Sequence, residues 1–200
     1  GLETAHLAGN SMGGWIVLEL ARRGRARTAV AISPAGLGTP RENAFAKWSL
    51  KLTRALARLV APVAHLLMRP AAVRRAAQWQ YFARPERQTP DAAAYALRAL
   101  ARAPAFPAAC EWLFDHRAEG LEEIRCPVLI AWGTKDRLLL PRQASRFVRR
   151  VPGARLQRLE GVGHTPMPDD PALVADTILA MTDARGAAIT PTSDEKGVPA

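Results

Sequence analysis

Ala5-His6-Leu7-Ala8-Gly9-Asn10-Ser11-Met12-Gly13-Gly14-Trp15-Ile16-Val17-Leu18-Glu19-Leu20 sets a serine at the centre of Gly-x-Ser-x-Gly, after a short apolar run and before an apolar-periodic segment. Strand, sharp turn and helix in that order are what a nucleophile elbow requires. A serine hydroxyl is a weak nucleophile at neutral pH, so it must stand clear of its neighbours where a base can reach it. The flanking glycines, lacking Cβ, tolerate the crowding of such a turn.

Outward from the elbow, Gly14 to Arg22 repeats apolar residues at helical spacing and Gly24 is placed to stop the helix. Thr28 to Ile32 then reads as a short buried strand ended by Ser33-Pro34-Ala35-Gly36. Strand, helix and strand within about thirty residues form a βαβ unit, whose right-handed crossover makes the two strands parallel.

Phe45, Trp48, Leu52, Leu56, Leu59, Val60, Val63 and Leu67 next recur at spacings of three and four, the stripe of an amphipathic helix. Lys47, Lys51, Arg54 and Arg58 fall largely on its other face. Pro70 interrupts the pattern, Ala71 to Phe82 resumes it, and Thr89-Pro90-Asp91 opens another helix with a cap, a proline and an early acid. Residues 41–119 thus predict four helices without a strand, an excursion with the look of a lid over a site. Alternation returns with a strand from Pro127 to Trp132, a helix from Pro141 to Arg150, a strand from Arg155 to Leu159 and a closing helix from Pro171 to Met181. The domain reading is therefore a parallel α/β core over 1–40 and 120–183, a helical lid insertion over 41–119, and a disordered, aperiodic tail over 184–200.

Two further turns follow strand ends, where open α/β sheets place their sites. Gly133-Thr134-Lys135-Asp136-Arg137 offers a carboxylate, although Asp136 by itself is equally a turn-former. Glu160-Gly161-Val162-Gly163-His164-Thr165-Pro166 offers an imidazole in a glycine-flanked, flexible loop, suited to proton transfer near neutral pH. The commoner fate of a single histidine is a surface position without chemistry, and His6, within the strand before the elbow, and His65 and His116, in the helical stretch, fit that fate.

Composition bounds the rest. Two hundred residues, 48% hydrophobic and 23% charged, suit one globular domain. The formal charge is +10, and all but four of the 28 Lys and Arg residues are arginine. They are scattered through an alanine-rich background without interleaved aromatics, so they read as solvated helix faces and no nucleic-acid partner is expected. No apolar run of about 18 residues occurs, so no membrane span is expected. Cys110 and Cys126 are too few for a disulfide framework and read as inert thiols in a reducing, cytoplasmic compartment.

Ser11, Asp136 and His164 follow the order nucleophile, acid, base, each just beyond a predicted parallel strand. From about Glu3 to Met181 the sequence resembles the α/β-hydrolase family, through Gly9 to Gly14, Pro127 to Arg137, and Gly161-Val162-Gly163-His164. The fold class that the resemblance implies is a parallel-sheet α/β-hydrolase fold, strands five to eight of the family sheet, with an inserted helical lid. It also implies a mechanism. Ser11 attacks an acyl carbon of a small-molecule substrate, His164 takes and returns the proton, Asp136 orients the imidazole, and the Met12 backbone N–H donates to the oxyanion. Some relatives place the acid after the strand that follows the elbow helix, but Ser33 to Pro40 holds no carboxylate. Serine at the elbow argues against the members that use aspartate there, such as haloalkane dehalogenases and epoxide hydrolases. No metal-ligand constellation accompanies these residues, and no cofactor is expected.

The leading expectation is hydrolysis of a small or medium carboxylic ester. Carbon–carbon bond hydrolysis, acyl transfer and perhydrolysis use the same triad; Asn10 and Met12 in the elbow point toward the first of these, and Thr165 after the histidine weakens it. The resemblance further implies that the preceding strands and the second oxyanion donor, about 100 residues, lie outside this sequence. A central strand left uncovered at Ala5 to Ala8 would fold poorly on its own, so a catalytically silent binding protein stands as the alternative of a different class. The oligomeric state is left open.

Overall fold

A computed structural model describes residues 1–182; the expected tail over 184–200 lies outside the described residues. Four parallel strands form one sheet in the order β1-β2-β3-β4, comprising Ala5–Asn10, Ala26–Ile32, Val128–Gly133 and Arg155–Leu159. β2 and β3 carry near-continuous apolar runs because both of their faces are covered, as in parallel sheets generally. The two-residue period of a strand sorts those runs. Ala29, Ala31, Ile130 and Trp132 join Leu18 of α1 (Met12–Arg22) and Phe147 of α7 (Ala144–Val148) on one face. Val30, Ile32, Leu129 and Ala131 join Val174 and Met181 of α8 (Pro171–Thr182) on the other. The core is therefore three layers, helix, sheet and helix.

Between β2 and β3 the chain forms α2 (Pro40–Val60), α3 (Ala64–Leu67), α4 (Ala71–Gln78), α5 (Pro90–Arg102) and α6 (Phe106–Asp115). Five helices stand where the periodicity predicted four, because Ala61–Val63 is a 3₁₀ turn that divides the stripe running from Phe45 to Leu67. Pro62 accounts for the break, since its ring removes an N–H and clashes with the preceding turn. The expected helix from Pro141 to Arg150 likewise begins as a 3₁₀ turn over Pro141–Gln143.

α2 starts with a capping box, Thr39 accepting from the Glu42 N–H while the Glu42 carboxylate accepts from the Thr39 N–H at 2.8 Å. That carboxylate also accepts from Arg142 at 2.7 Å and Arg146 at 2.6 Å, which moors the insertion to α7. α2 packs inward through small residues, Ala46, Ser49 and Ala57, with Leu50 partly buried against the core, while Phe45, Trp48, Leu52, Leu56 and Leu59 face outward.

Candidate active site

Ser11 ends β1 and caps α1 at φ 58° and ψ −117°, a left-sided backbone that only surrounding structure can hold in a residue with a Cβ. Its N–H donates to the Ile32 carbonyl at 2.9 Å, and its carbonyl accepts from Trp15 and Ala35. The side chain makes no capping bond, so the hydroxyl stays uncommitted at the turn. The turn closes tightly: a Cβ on Gly9 would stand 2.3 Å from the Gly13 carbonyl oxygen. Glycine at position 9 is thus a requirement of space. Met12 is the first residue of α1, so its N–H has no helical acceptor and lies at the positive end of the helix dipole.

Asp136 and His164 meet, each almost fully buried. Oδ2 of Asp136 is 2.8 Å from Nδ1 of His164, and Oδ1 accepts from the N–H groups of Leu138 at 2.9 Å and Leu139 at 2.8 Å. A carboxylate accepts only, so Nδ1 carries the proton and Nε2 keeps a lone pair free to act as a base. The turn-former reading of Asp136 and its role as a histidine partner are both realised, one oxygen for each.

The histidine loop is not the flexible segment that its glycines predict. A Cβ on Gly133 would lie 2.3 Å from the Gly163 carbonyl oxygen, and one on Gly163 would lie 2.7 Å from the Tyr81 carbonyl oxygen. These glycines allow three stretches of backbone to touch. His6, His65 and His116 are exposed, as expected. Burial pushes the Cys110 and Cys126 thiols up from their ordinary range, in keeping with inert cysteines. Among the described residues no group of three His, Cys, Asp or Glu side chains could hold a metal ion.

Two residues to which the sequence pattern gave no positioning role tie these parts together. Asn10 Nδ2 donates to the Ile32 carbonyl at 3.1 Å and to the His164 carbonyl at 2.9 Å, which links the elbow to the histidine loop. Asp169 accepts from the N–H groups of Gly163 at 2.8 Å, Ala83 at 2.8 Å and Arg84 at 2.9 Å. Thr165 N–H donates to the Tyr81 carbonyl at 2.9 Å, and Arg137 Nη1 to the Trp79 carbonyl at 2.8 Å. Residues 79–84 of the helical insertion are thereby stitched to the loops of both Asp136 and His164. Nothing in local spacing signals such long-range bonds. Asp169, in Pro166-Met167-Pro168-Asp169-Asp170-Pro171, looks like one more turn residue.

The fold and this site define a parallel α/β protein with a serine on a strand-turn-helix elbow and an Asp-His pair at neighbouring strand ends. The chain belongs to the alpha/beta hydrolase family, whose profile matches residues 1–177. It is 32% identical over 195 residues to the epoxide hydrolase EphH of Mycobacterium tuberculosis, covering 92% of this chain and 88% of that protein. It is also 32% identical over 191 residues to a pimeloyl-[acyl-carrier protein] methyl ester esterase of Aromatoleum aromaticum, covering 88% and 74%. Among solved structures, a bacterial membrane phospholipase A superposes with a TM-score of 0.66 at 24% identity over 92% of this chain. This chain spans 58% of that structure's length.

Proposed function

We propose that this chain is a serine hydrolase that cleaves a small or medium carboxylic ester through an acyl-enzyme, with Ser11, His164 and Asp136 as nucleophile, base and orienting acid. The observation that carries the reading is Ser11 at φ 58° with an uncommitted hydroxyl, on an elbow that Asn10 links to the loop of an Asp136-paired His164. Nε2 of His164 takes the Ser11 proton as Oγ attacks the acyl carbon, then returns it to the departing alcohol. Water repeats the sequence to free the acid. Asp136 holds the Nδ1 proton and stabilises the imidazolium. The Met12 N–H donates to the oxyanion. In this reading residues 41–119 form the lid, and their bonds to the acid and histidine loops set the access route to Ser11.

The relative named as an epoxide hydrolase favours a second substrate class. Chemistry separates the two. A carboxylate that opens an epoxide leaves an ester, which water can cleave, whereas a serine would leave an ether that the same machinery cannot hydrolyse. Ser11 therefore supports the ester reading, which agrees with the name of the Aromatoleum relative. The test is fluorophosphonate labelling together with turnover of p-nitrophenyl butyrate and of styrene oxide. Labelling and ester turnover that both vanish in Ser11→Ala support the proposal. Failure of the folded protein to label, or epoxide turnover that survives Ser11→Ala, refutes it.

A further inference from the structure

The outward face of α2 is built against the usual rule. Its small residues lie inside, and Trp48, Leu52, Leu56 and Leu59 point to solvent, with Trp48 62% and Leu59 77% exposed. Val63 and Leu66 continue the exposed band past the 3₁₀ turn. At 100° per residue the four side chains on α2 fall within a narrow arc, an apolar ridge along a helix about 32 Å long. Such a ridge is a large exposed apolar surface, which marks an interaction site.

Charge says what covers it. Residues 43–85 contain eight Lys or Arg and no Asp or Glu; Lys47 and Lys51 pair with Glu111 and Asp115 of α6, and Arg75 with Glu86. Arg58 and Arg69 are exposed beside the ridge, with no acidic partner among the described residues, and the whole chain carries +10. A second copy docked face to face across a two-fold near the middle of the ridge would set Arg58 beside its equivalent, and α2 and α3 offer no exposed carboxylate to pair with Arg58 or Arg69, so like charges oppose a homodimer here. Nucleic acid would match the charge, but beyond Trp48 the ridge is leucine and valine, which offer no succession of stacking platforms for bases. An apolar ridge of Trp and Leu flanked by basic residues, on a helix of low overall hydrophobicity, is the form that lies in the headgroup layer of an anionic bilayer.

We propose that α2 and α3 form a docking face for an anionic lipid surface, with the ridge from Trp48 to Leu66 entering the acyl boundary and Arg58 and Arg69 reaching the headgroups. No crossing of the bilayer is involved: among the described residues no helix is long and apolar enough to span a membrane. Docking of this kind is independent of Ser11 chemistry. It places the helical insertion, and the residues stitched to the Asp136 and His164 loops, at the membrane face of the molecule.

Sedimentation of the full chain with vesicles tests the proposal, comparing phosphatidylcholine alone with phosphatidylcholine containing about one-third phosphatidylglycerol. The expected result is at least about tenfold stronger partitioning onto the anionic vesicles, reversed by raising the salt from about 0.05 to about 0.5 M. Leu56→Glu with Leu59→Glu, and separately Arg58→Glu with Arg69→Glu, should each weaken binding about tenfold or more. These side chains are exposed, so the thermal melt should be unchanged. Ser11→Ala should bind as the parent does, which separates this result from any failure of the hydrolase reading. The proposal is overturned if the parent chain stays in the supernatant with both vesicles, if binding ignores salt, or if the leucine pair is dispensable. It is equally overturned if sedimentation equilibrium reveals a dimer that the leucine pair dissociates, because the ridge would then be covered by a second copy.

Discussion

Replacing Asp169 removes one carboxylate and frees three backbone donors at once. Its two oxygens accept from Gly163, Ala83 and Arg84 at 2.8, 2.8 and 2.9 Å. The Gly163 bond is buried, so in Asp169→Ala that N–H loses its acceptor with little access to water, a cost of about 1–3 kcal/mol. The other two are part-buried and can turn to solvent, which reduces each loss to about 0.5–1.5 kcal/mol. The total is about 2–6 kcal/mol, a large share of the ~5–15 kcal/mol that holds an ordinary domain together. Asp169→Asn should cost less, about 1–2 kcal/mol. Its amide oxygen can stand at the Oδ2 position and keep the Ala83 and Gly163 bonds, while its NH₂ faces the Arg84 N–H without an acceptor. Urea unfolding of the three proteins, with hydrogen exchange read at the amides of residues 83, 84 and 163, checks both the size and the order. Those amides should lose protection in the alanine variant well beyond the global change, because the histidine loop and the insertion come apart locally. The reasoning fails if Asp169→Ala lies within about 0.5 kcal/mol of the parent and the three amides remain protected.

Three further outcomes follow from the same geometry. Asp136→Asn should leave the melt nearly intact while ester turnover falls by about 10³–10⁴-fold, since an amide facing Nδ1 favours the wrong imidazole tautomer; a loss under tenfold in steady-state kinetics would contradict the assigned role. Gly9→Ala should destabilise by about 1–3 kcal/mol because its Cβ meets backbone at 2.3 Å, whereas Gly13→Ala, with nothing within 4 Å, should be neutral or stabilising by about 0.5 kcal/mol; thermal melts of the pair decide. For Glu42, burial raises the pKa, but bonds from Arg146, Thr39 and Arg142 outweigh it and hold the carboxyl down at about 2. A depressed carboxyl stabilises the fold above its ordinary range, near 4.5, and that contribution drains as the pH falls from there toward about 2. The full contribution is about 3 kcal/mol. Unfolding measured at several pH values across that window should show the loss in the parent and a flatter profile in Glu42→Gln.

Much of this molecule is legible in order along the chain because its signals are local. Gly9 to Gly14 after an apolar run specify strand, turn and helix, and the runs at Ala29 to Ile32 and Val128 to Trp132 specify buried parallel strands. Thr39 and Glu42, three apart, are a helix start in any context. Side-chain order gave Ser11, Asp136 and His164 as candidates before any pairing was visible, since chain order and strand-end position are properties of the sequence. The break at Pro62 was readable in principle, but the apolar period ran through it and outweighed a single proline.

Other features exist only once distant segments meet. The Asp136 to His164 bond spans 28 residues, the Asn10 to His164 bond 154 and the Asp169 to Ala83 bond 86, and no local pattern encodes a hydrogen bond at such separations. Gly133 and Gly163 read as flexibility in sequence and prove to be spacers that let backbones touch, because the neighbour each one accommodates is remote along the chain. The period of α2 likewise announces an amphipathic helix without saying which face packs. Only the tertiary structure buries Ala46, Ser49 and Ala57 and leaves Trp48 and Leu59 in solvent, because the side with small side chains is the one that lets neighbouring helices approach closely.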